Sequence, residues 1–312
     1  MDLQNTAYHG VALTAMQSAE TFKLSRDEFP AASTRSQKLQ RELGRLMSQV
    51  RTLSMRPLAV STRRRFVFIL GHMRSGSSLL CHLLCNSDEI IGFGEAHHSY
   101  RRRSDLARLL SSVRRQTGEN PLRYRYVLDK IVGTQHEVGA RVLSDPRTRF
   151  IFLVREPRPT IASIVAMRRQ LLTESHEQLV AFATNHYRQR LGQLSKLAHD
   201  VDDPKRCMLM THRQLLEETA STFVALEQFL ELASPLREVY RLMPTTGQVG
   251  IGDPSPNIRL GKIERSLPRK EIALPAEHWT IMEECYENCF SQLRAAFTAT
   301  SLRHVSERKK TA

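Results

Sequence analysis

The stretch Arg65-Phe-Val-Phe-Ile-Leu-Gly-His-Met-Arg-Ser-Gly-Ser-Ser-Leu-Leu-Cys-His-Leu-Leu84 decides how this chain is read. Its first part is a short apolar run suited to a buried strand. A tight glycine loop, Gly71 to Ser78, follows, and then an apolar helix. A strand, a loop and a helix in that order turn backbone N–H groups and a helix N-terminus toward one point, where a phosphate-like anion binds. The spacing Gly71-x-x-x-x-Gly76 is that of the nucleotide-triphosphate P-loop, G-x-x-x-x-G-K-[ST]. Where that loop requires Lys, this chain has Ser77, and the cation sits earlier, at Arg74. A P-loop Lys reaches the β- and γ-phosphates beside a magnesium ion. An arginine ahead of the second glycine points to an anionic group held differently.

A second apolar run, Arg149-Phe-Ile-Phe-Leu-Val-Arg-Glu-Pro157, is again fit for a buried parallel strand. In a magnesium-dependent NTPase such a strand would end in a metal-holding Asp. Here it ends in Arg155, which can grip a phosphate with a bidentate fork. Pro157 opens a helix, where proline is tolerated, and Ser163 falls near the end of its second turn.

These two segments resemble the sulfotransferases that use 3′-phosphoadenosine 5′-phosphosulfate (PAPS). The family's 5′-phosphosulfate loop looks like P-[KR]-S-G-T-T, and here it reads Met73-Arg-Ser-Gly-Ser-Ser78. Its 3′-phosphate motif looks like R-x-P with a Ser eight positions after the Arg, matched by Arg155, Pro157 and Ser163. Gly252-Asp-Pro-Ser-Pro-Asn-Ile-Arg-Leu-Gly-Lys-Ile263 resembles the late loop that closes over the 3′-phosphate. The tyrosylprotein and bacterial carbohydrate branches are the most similar at the arginine-bearing loop. Met73 departs from the usual Pro, and Ser77-Ser78 from Thr-Thr; the glycine and the hydroxyls are kept.

The resemblance implies PAPS as co-substrate without a metal, and roles for particular residues. Arg74 would reach the sulfuryl or bridging oxygens. Backbone N–H groups of Ser75, Gly76, Ser77 and Ser78, with the last two hydroxyls, would hold the 5′-phosphate. Arg155 and Ser163 would take the 3′-phosphate, joined from the late loop by Ser255, Arg259 or Lys262, with Lys262 the leading candidate because nearby glycine permits close approach. The alternatives are ordinary ones: Arg74 capping the next helix, and Arg155 in a helix-start salt bridge with Glu156. Sulfuryl transfer needs a base for the acceptor hydroxyl. Glu95 is the candidate, since it follows a short strand at the carboxyl edge that carries the loop, and the tyrosylprotein branch has a similar Gly-Glu pair. His97 and His98 are its rivals. Lys130, ending another strand, matches a lysine that one branch uses near the sulfuryl group.

The chain has 312 residues, 41% hydrophobic, with a net charge of +14, so an anionic partner is expected. Nucleic acid is not the expected partner: a single Trp and scattered Tyr offer no stacking platform, and no nucleic-acid motif is present. The five cysteines, Cys81, Cys85, Cys207, Cys285 and Cys289, do not read as a disulfide framework. They also lack C-x₂-C zinc spacing. No run approaches membrane-spanning length and no signal-peptide core opens the chain, so a cytoplasmic setting is the default.

The organisation expected is an N-terminal helical extension (1–62, with a basic helix at Ser36 to Leu53), a catalytic domain (63–300) and a polar tail (301–312). Strands are read at 65–70, near Ile90-Ile91, and at 124–129, 149–154 and 206–211. Helices are read at 104–116, 135–143, 157–170, 175–199, 214–232 and 275–297. This alternation predicts an α/β fold, a P-loop-like parallel sheet with helices on both faces. The function expected is sulfuryl transfer from PAPS to a hydroxyl on a small molecule, a carbohydrate, a lipid headgroup or a peptide. A P-loop kinase and a non-catalytic nucleotide-binding protein are the alternatives.

Overall fold

The computed structural model describes residues 65–248, 251–253, 255–266 and 270–308, with side chains to residue 297. The expected extension at 1–62 and its basic helix lie outside these residues. Five strands run β1 (Arg65–Gly71), β2 (Ile90–Ile91), β3 (Tyr126–Ile131), β4 (Thr148–Val154) and β5 (Cys207–Thr211). They form one parallel sheet in the order β2-β3-β1-β4-β5.

Central β1 is apolar at nearly every position because both of its faces are covered. Phe66, Phe68 and Leu70 enter one core with Phe150 and Phe152 of β4. Val67 and Ile69 enter the other with Ile151 and Leu153. Phe68 stacks on Phe150 with ring centroids 5.8 Å apart and meets Tyr100 edge-on at 5.0 Å. Burying each such ring contributes about 1.5–3 kcal/mol.

The helices are α1 (Ser77–Cys85), α2 (Leu106–Thr117), α3 (Ala140–Leu143), α4 (Pro157–Leu171), α5 (His176–Asp200), α6 (His212–Glu217), α7 (Thr219–Leu230) and α8 (Ala276–Arg308). The buried faces of α2, α4, α5 and α8 cover the core beside Phe68. Those of α1 and α7 cover the opposite one. The α/β expectation therefore holds. No helix among the described residues is long and apolar enough to cross a membrane.

Four boundaries differ from the sequence reading, each for a local reason. The strand read at 124–129 begins two residues later, because Asn120 accepts from Leu122 N and caps a short turn over Pro121–Arg123. Lys130 consequently lies inside β3. The helix read at 135–143 shrinks to α3, since Tyr100 and Val138 form a bridge that keeps the preceding backbone extended. The helix read at 214–232 starts earlier, on a Thr211/Gln214 capping box, and is interrupted at Glu218, whose φ of −116° and ψ of 37° are not helical. The last helix continues past 297 to Arg308.

Candidate active site

Parallel β1, β2, β3 and β4 deliver their ends and following segments to one carboxyl edge of the sheet, and the sequence-predicted residues other than those of the late loop gather there. The loop after β1 turns sharply through left-handed backbone at Arg74 (φ 63°) and Gly76 (φ 93°). Gly76 is the N-cap of α1 and offers no side chain to the first-turn N–H groups, which a helix leaves unpaired on its own. A Cβ on Gly76 would stand 2.6 Å from the His212 ring, so the residue is glycine for space as well as for conformation.

Arg74, Arg155 and Ser163 form one cluster. Arg74 Nε donates to Ser163 Oγ at 3.0 Å, and Arg74 Nη1 to Asp253 Oδ1 at 2.8 Å. Arg155 Nη1 donates to the Arg74 carbonyl at 3.1 Å. Burial, and then the neighbouring Arg74 charge, pull the Arg155 guanidinium down to about 10. Arg155 Nε and Ser75 Oγ are both buried without hydrogen-bond partners among the described residues. Two crowded guanidiniums, two donors with nothing to donate to and an uncapped helix start fit a polyanion. The Ser75 N–H itself turns to the His72 carbonyl at 3.2 Å, which leaves the hydroxyl as that residue's contribution. Ser77 is buried in the first turn of α1.

A second cluster adjoins the first through Ser78. Alternation along β3 sends Asp129 and Lys130 to opposite faces. Lys130, 6% exposed, donates from Nζ to Ser78 Oγ at 2.7 Å and stands 3.3 Å from Glu95 Oε1. Asp129 accepts from Ala96 N at 2.9 Å, Lys130 N at 2.9 Å and Tyr100 OH at 2.6 Å, and so clamps the Glu95 loop to β3. Of the rival bases, His97 Nδ1 is 3.7 Å from Glu95 Oε2. His98 is occupied elsewhere: its Nε2 meets Ser112 Oγ at 2.9 Å.

Burial raises the Asp129 carboxyl from 3.8 to about 7, against the lowering effect of its hydrogen bonds. A folded-state value above the unfolded one means that the contribution to stability is full below 3.8 and is lost as the pH rises through about 7. Asp129→Asn keeps the shape and removes the titration. It is expected to flatten the fall in melting temperature between pH 4 and 7, and thermal denaturation across that range checks it.

The late segment packs against the Glu95 loop. Thr245 Oγ1 donates to the Phe93 carbonyl, Glu95 N donates to Ile251 O at 3.3 Å, and His82 Nε2 meets Thr246 Oγ1 at 2.8 Å. Its cations are not brought in with it. Lys262 is exposed and bridges Val239 by backbone, and Arg259 is exposed too. Neither side chain has a hydrogen bond or ion pair to the Gly71 loop among the described residues. Ser255 donates its N–H to Asp253 Oδ1 at 2.9 Å.

Five participants were not singled out from the sequence. Asp253 is one. His72 accepts the Arg155 N–H on Nε2 at 3.0 Å and pairs Nδ1 with Met73 O at 2.9 Å, which fixes the Nδ1–H tautomer. Burial pushes it down to about 3, and His212 likewise. His186, held to about 4 by burial, accepts from Met73 N at 3.4 Å. Arg190, 1% exposed, donates from Nε to Gly71 O at 2.7 Å and from Nη2 to Ile131 O at 2.6 Å, stapling the ends of β1 and β3. The histidines are neutral, so the fixed positive charge here comes from Arg74, Arg155, Lys130 and Arg190. His186 and Arg190 carried a readable signal: they occupy core-face positions of α5 among Ala183, Tyr187, Leu191 and Leu194.

Solved structures share this fold, two sulfotransferase domains among them. The sulfotransferase domain from the curacin biosynthetic pathway matches with a TM-score of 0.52 and 18% identity, over 74% of this chain and 98% of its own. The sulfotransferase domain from the Synechococcus PCC 7002 olefin synthase matches with a TM-score of 0.50 and 18% identity, over 73% and 96%. No protein-family model and no curated protein matches the chain. At this identity the likeness is one of fold.

Proposed function

We propose that the protein is a sulfotransferase that moves a sulfuryl group from PAPS to a hydroxyl acceptor. The observation that carries the reading is the union of the two clusters. The Arg74–Ser163–Arg155 group meets the Ser78–Lys130–Glu95 group within a single loop. That two structures of this fold are sulfotransferase domains supports it. So does Ser77 in the position where a kinase loop needs Lys.

PAPS supplies the sulfuryl group, and its bisphosphate leaves with the electron pair of the broken S–O bond. Arg155, Ser163 and the Ser75 hydroxyl hold phosphate. Arg74, freed from Asp253 by the arriving anion, and Lys130 stabilise the charge that develops on the transferring group. Glu95 orients the acceptor hydroxyl and takes its proton as the new O–S bond forms. Ordering of the reacting groups supplies much of the acceleration, as in phosphoryl transfer.

The test is calorimetry. Adenosine 3′,5′-bisphosphate is expected to bind without magnesium, and more tightly than ATP with magnesium. The reverse order of affinity would replace this reading with that of a P-loop kinase.

A further inference from the structure

An acid stands inside the anion site, against the cation assigned above to the transferring group. Asp253 Oδ1 accepts from Arg74 Nη1 at 2.8 Å, and the two side chains are 14% and 19% exposed. Burial works to raise the pKa of this carboxyl, but the Arg74 charge and the hydrogen bonds from Arg74 and Ser255 outweigh it and hold the group below its ordinary value. Asp253 is therefore ionised at neutral pH. Among the described residues no cation other than Arg74 makes a hydrogen bond or ion pair with it.

The carboxylate is also fixed where it stands. Ser255 N donates to the same Oδ1 at 2.9 Å, and Gly247 N donates to the Asp253 carbonyl at 3.1 Å. The segment that carries it is closed on itself by Gly252 N on Gln248 O at 2.9 Å, and a Cβ on Gly252 would collide with Thr245 O. It is tied outward as well, by Glu95 N on Ile251 O at 3.3 Å and by His82 Nε2 on Thr246 Oγ1 at 2.8 Å. When an anion draws Arg74 away, these ties keep Asp253 beside the group that displaced it. One negative charge then faces another in a largely buried site, where screening is weak.

We propose that Asp253 is a specificity residue: it admits a singly charged sulfuryl end beside Arg74 and rejects a phosphoryl end of the same shape and higher charge. A sulfuryl ester carries one negative charge, whereas a terminal phosphate carries about 1.5 to 2 at pH 7. Arg74 can grip either tetrahedral oxyanion, so hydrogen-bond geometry separates them poorly. A fixed like charge does separate them, by making the wrong ligand worse rather than the right one better. The placing of the donor's end at Arg74 rests on the sulfotransferase reading.

The experiment compares two ligands that differ in one atom: PAPS, and adenosine 3′-phosphate 5′-diphosphate, in which phosphorus replaces the terminal sulfur. Each is titrated calorimetrically into the full chain and into its Asp253→Asn variant, without magnesium, which would mask the charge. Asparagine keeps the size and an oxygen for Arg74 and Ser255. The wild-type chain is expected to prefer PAPS by about tenfold or more, a modest share of what a close like-charge contact costs. In the variant both ligands are expected to tighten, the diphosphate about tenfold more than PAPS, so that the preference collapses. Equal binding of the two by the wild-type chain, or an unchanged ratio in the variant, would overturn the proposal. So would weaker binding of both by the variant, which would make Asp253 a residue that orients Arg74. Adenosine 3′,5′-bisphosphate, titrated into both proteins, reports the fold and the phosphate contacts. Its loss from the variant alone would make Asp253 structural and overturn the proposal. Its failure to bind the wild-type chain would overturn the cofactor reading and the proposal together, whereas bisphosphate binding without discrimination overturns the proposal alone.

Discussion

Glu95→Ala is expected to lower turnover about 10²–10⁴-fold, the range for loss of a positioned general base. Cofactor affinity is expected to change little, because the phosphate contacts proposed above fall to Arg74, Arg155 and Ser163 rather than to the Glu95 loop. The variant also leaves Lys130 without its carboxylate, but Lys130 keeps Ser78 at 2.7 Å, so the lysine remains in place. The measurement is kcat against pH beside a bisphosphate titration. The acidic limb of the profile should disappear where chemistry limits turnover. His97→Asn and His98→Asn should each cost far less, since His98 turns toward α2 and His97 meets the site through Glu95. A near-normal rate in Glu95→Ala with an inactive His97 or His98 variant would move the base onto histidine and leave the cofactor site as proposed.

The reach of sequence reasoning follows from range. β1 and β4 are legible because a strand buried on both faces must be apolar throughout, and Gly71, Gly76 and Pro157 punctuate the chain at once. Arg74 and Arg155 are nameable because each lies within two residues of such a marker, and Ser163 because its spacing from Arg155 matches the motif the chain resembles. Glu95 and Lys130 needed the rule that parallel strands end at a common edge, together with the Gly-Glu pair and the lysine of the branches the chain resembles. What escaped were residues whose role comes from distant partners. Arg190 reaches Gly71 and Ile131 across 119 and 59 residues of chain. Asp253 finds Arg74 across 179. Their neighbours in sequence give no hint of these pairings. Lys262 shows the converse: a glycine beside a lysine suggested close approach, but Gly261 serves a left-handed turn (φ 66°) that leads into the bridge with Val239.

Arg155→Ala is expected to weaken bisphosphate binding by ~1.5–3 kcal/mol, the worth of a charge-assisted contact, or about 10- to 150-fold. The specific signature is loss of preference for 3′-phosphorylated over plain adenosine nucleotides. The apo protein offers a second readout of opposite sign. Arg155 is a buried cation beside another cation, with one donor unpartnered. Its removal gives up the hydrogen bond to the Arg74 carbonyl but relieves repulsion and desolvation. The unliganded melting temperature should therefore hold steady or rise while affinity falls, the pattern of a residue kept for binding at some cost in stability. A structural arginine would behave otherwise: stability would drop and the 3′-phosphate preference would survive. That outcome would remove Arg155 from the site and place the 3′-phosphate on other cations, with exposed Arg259 and Lys262 the first to examine.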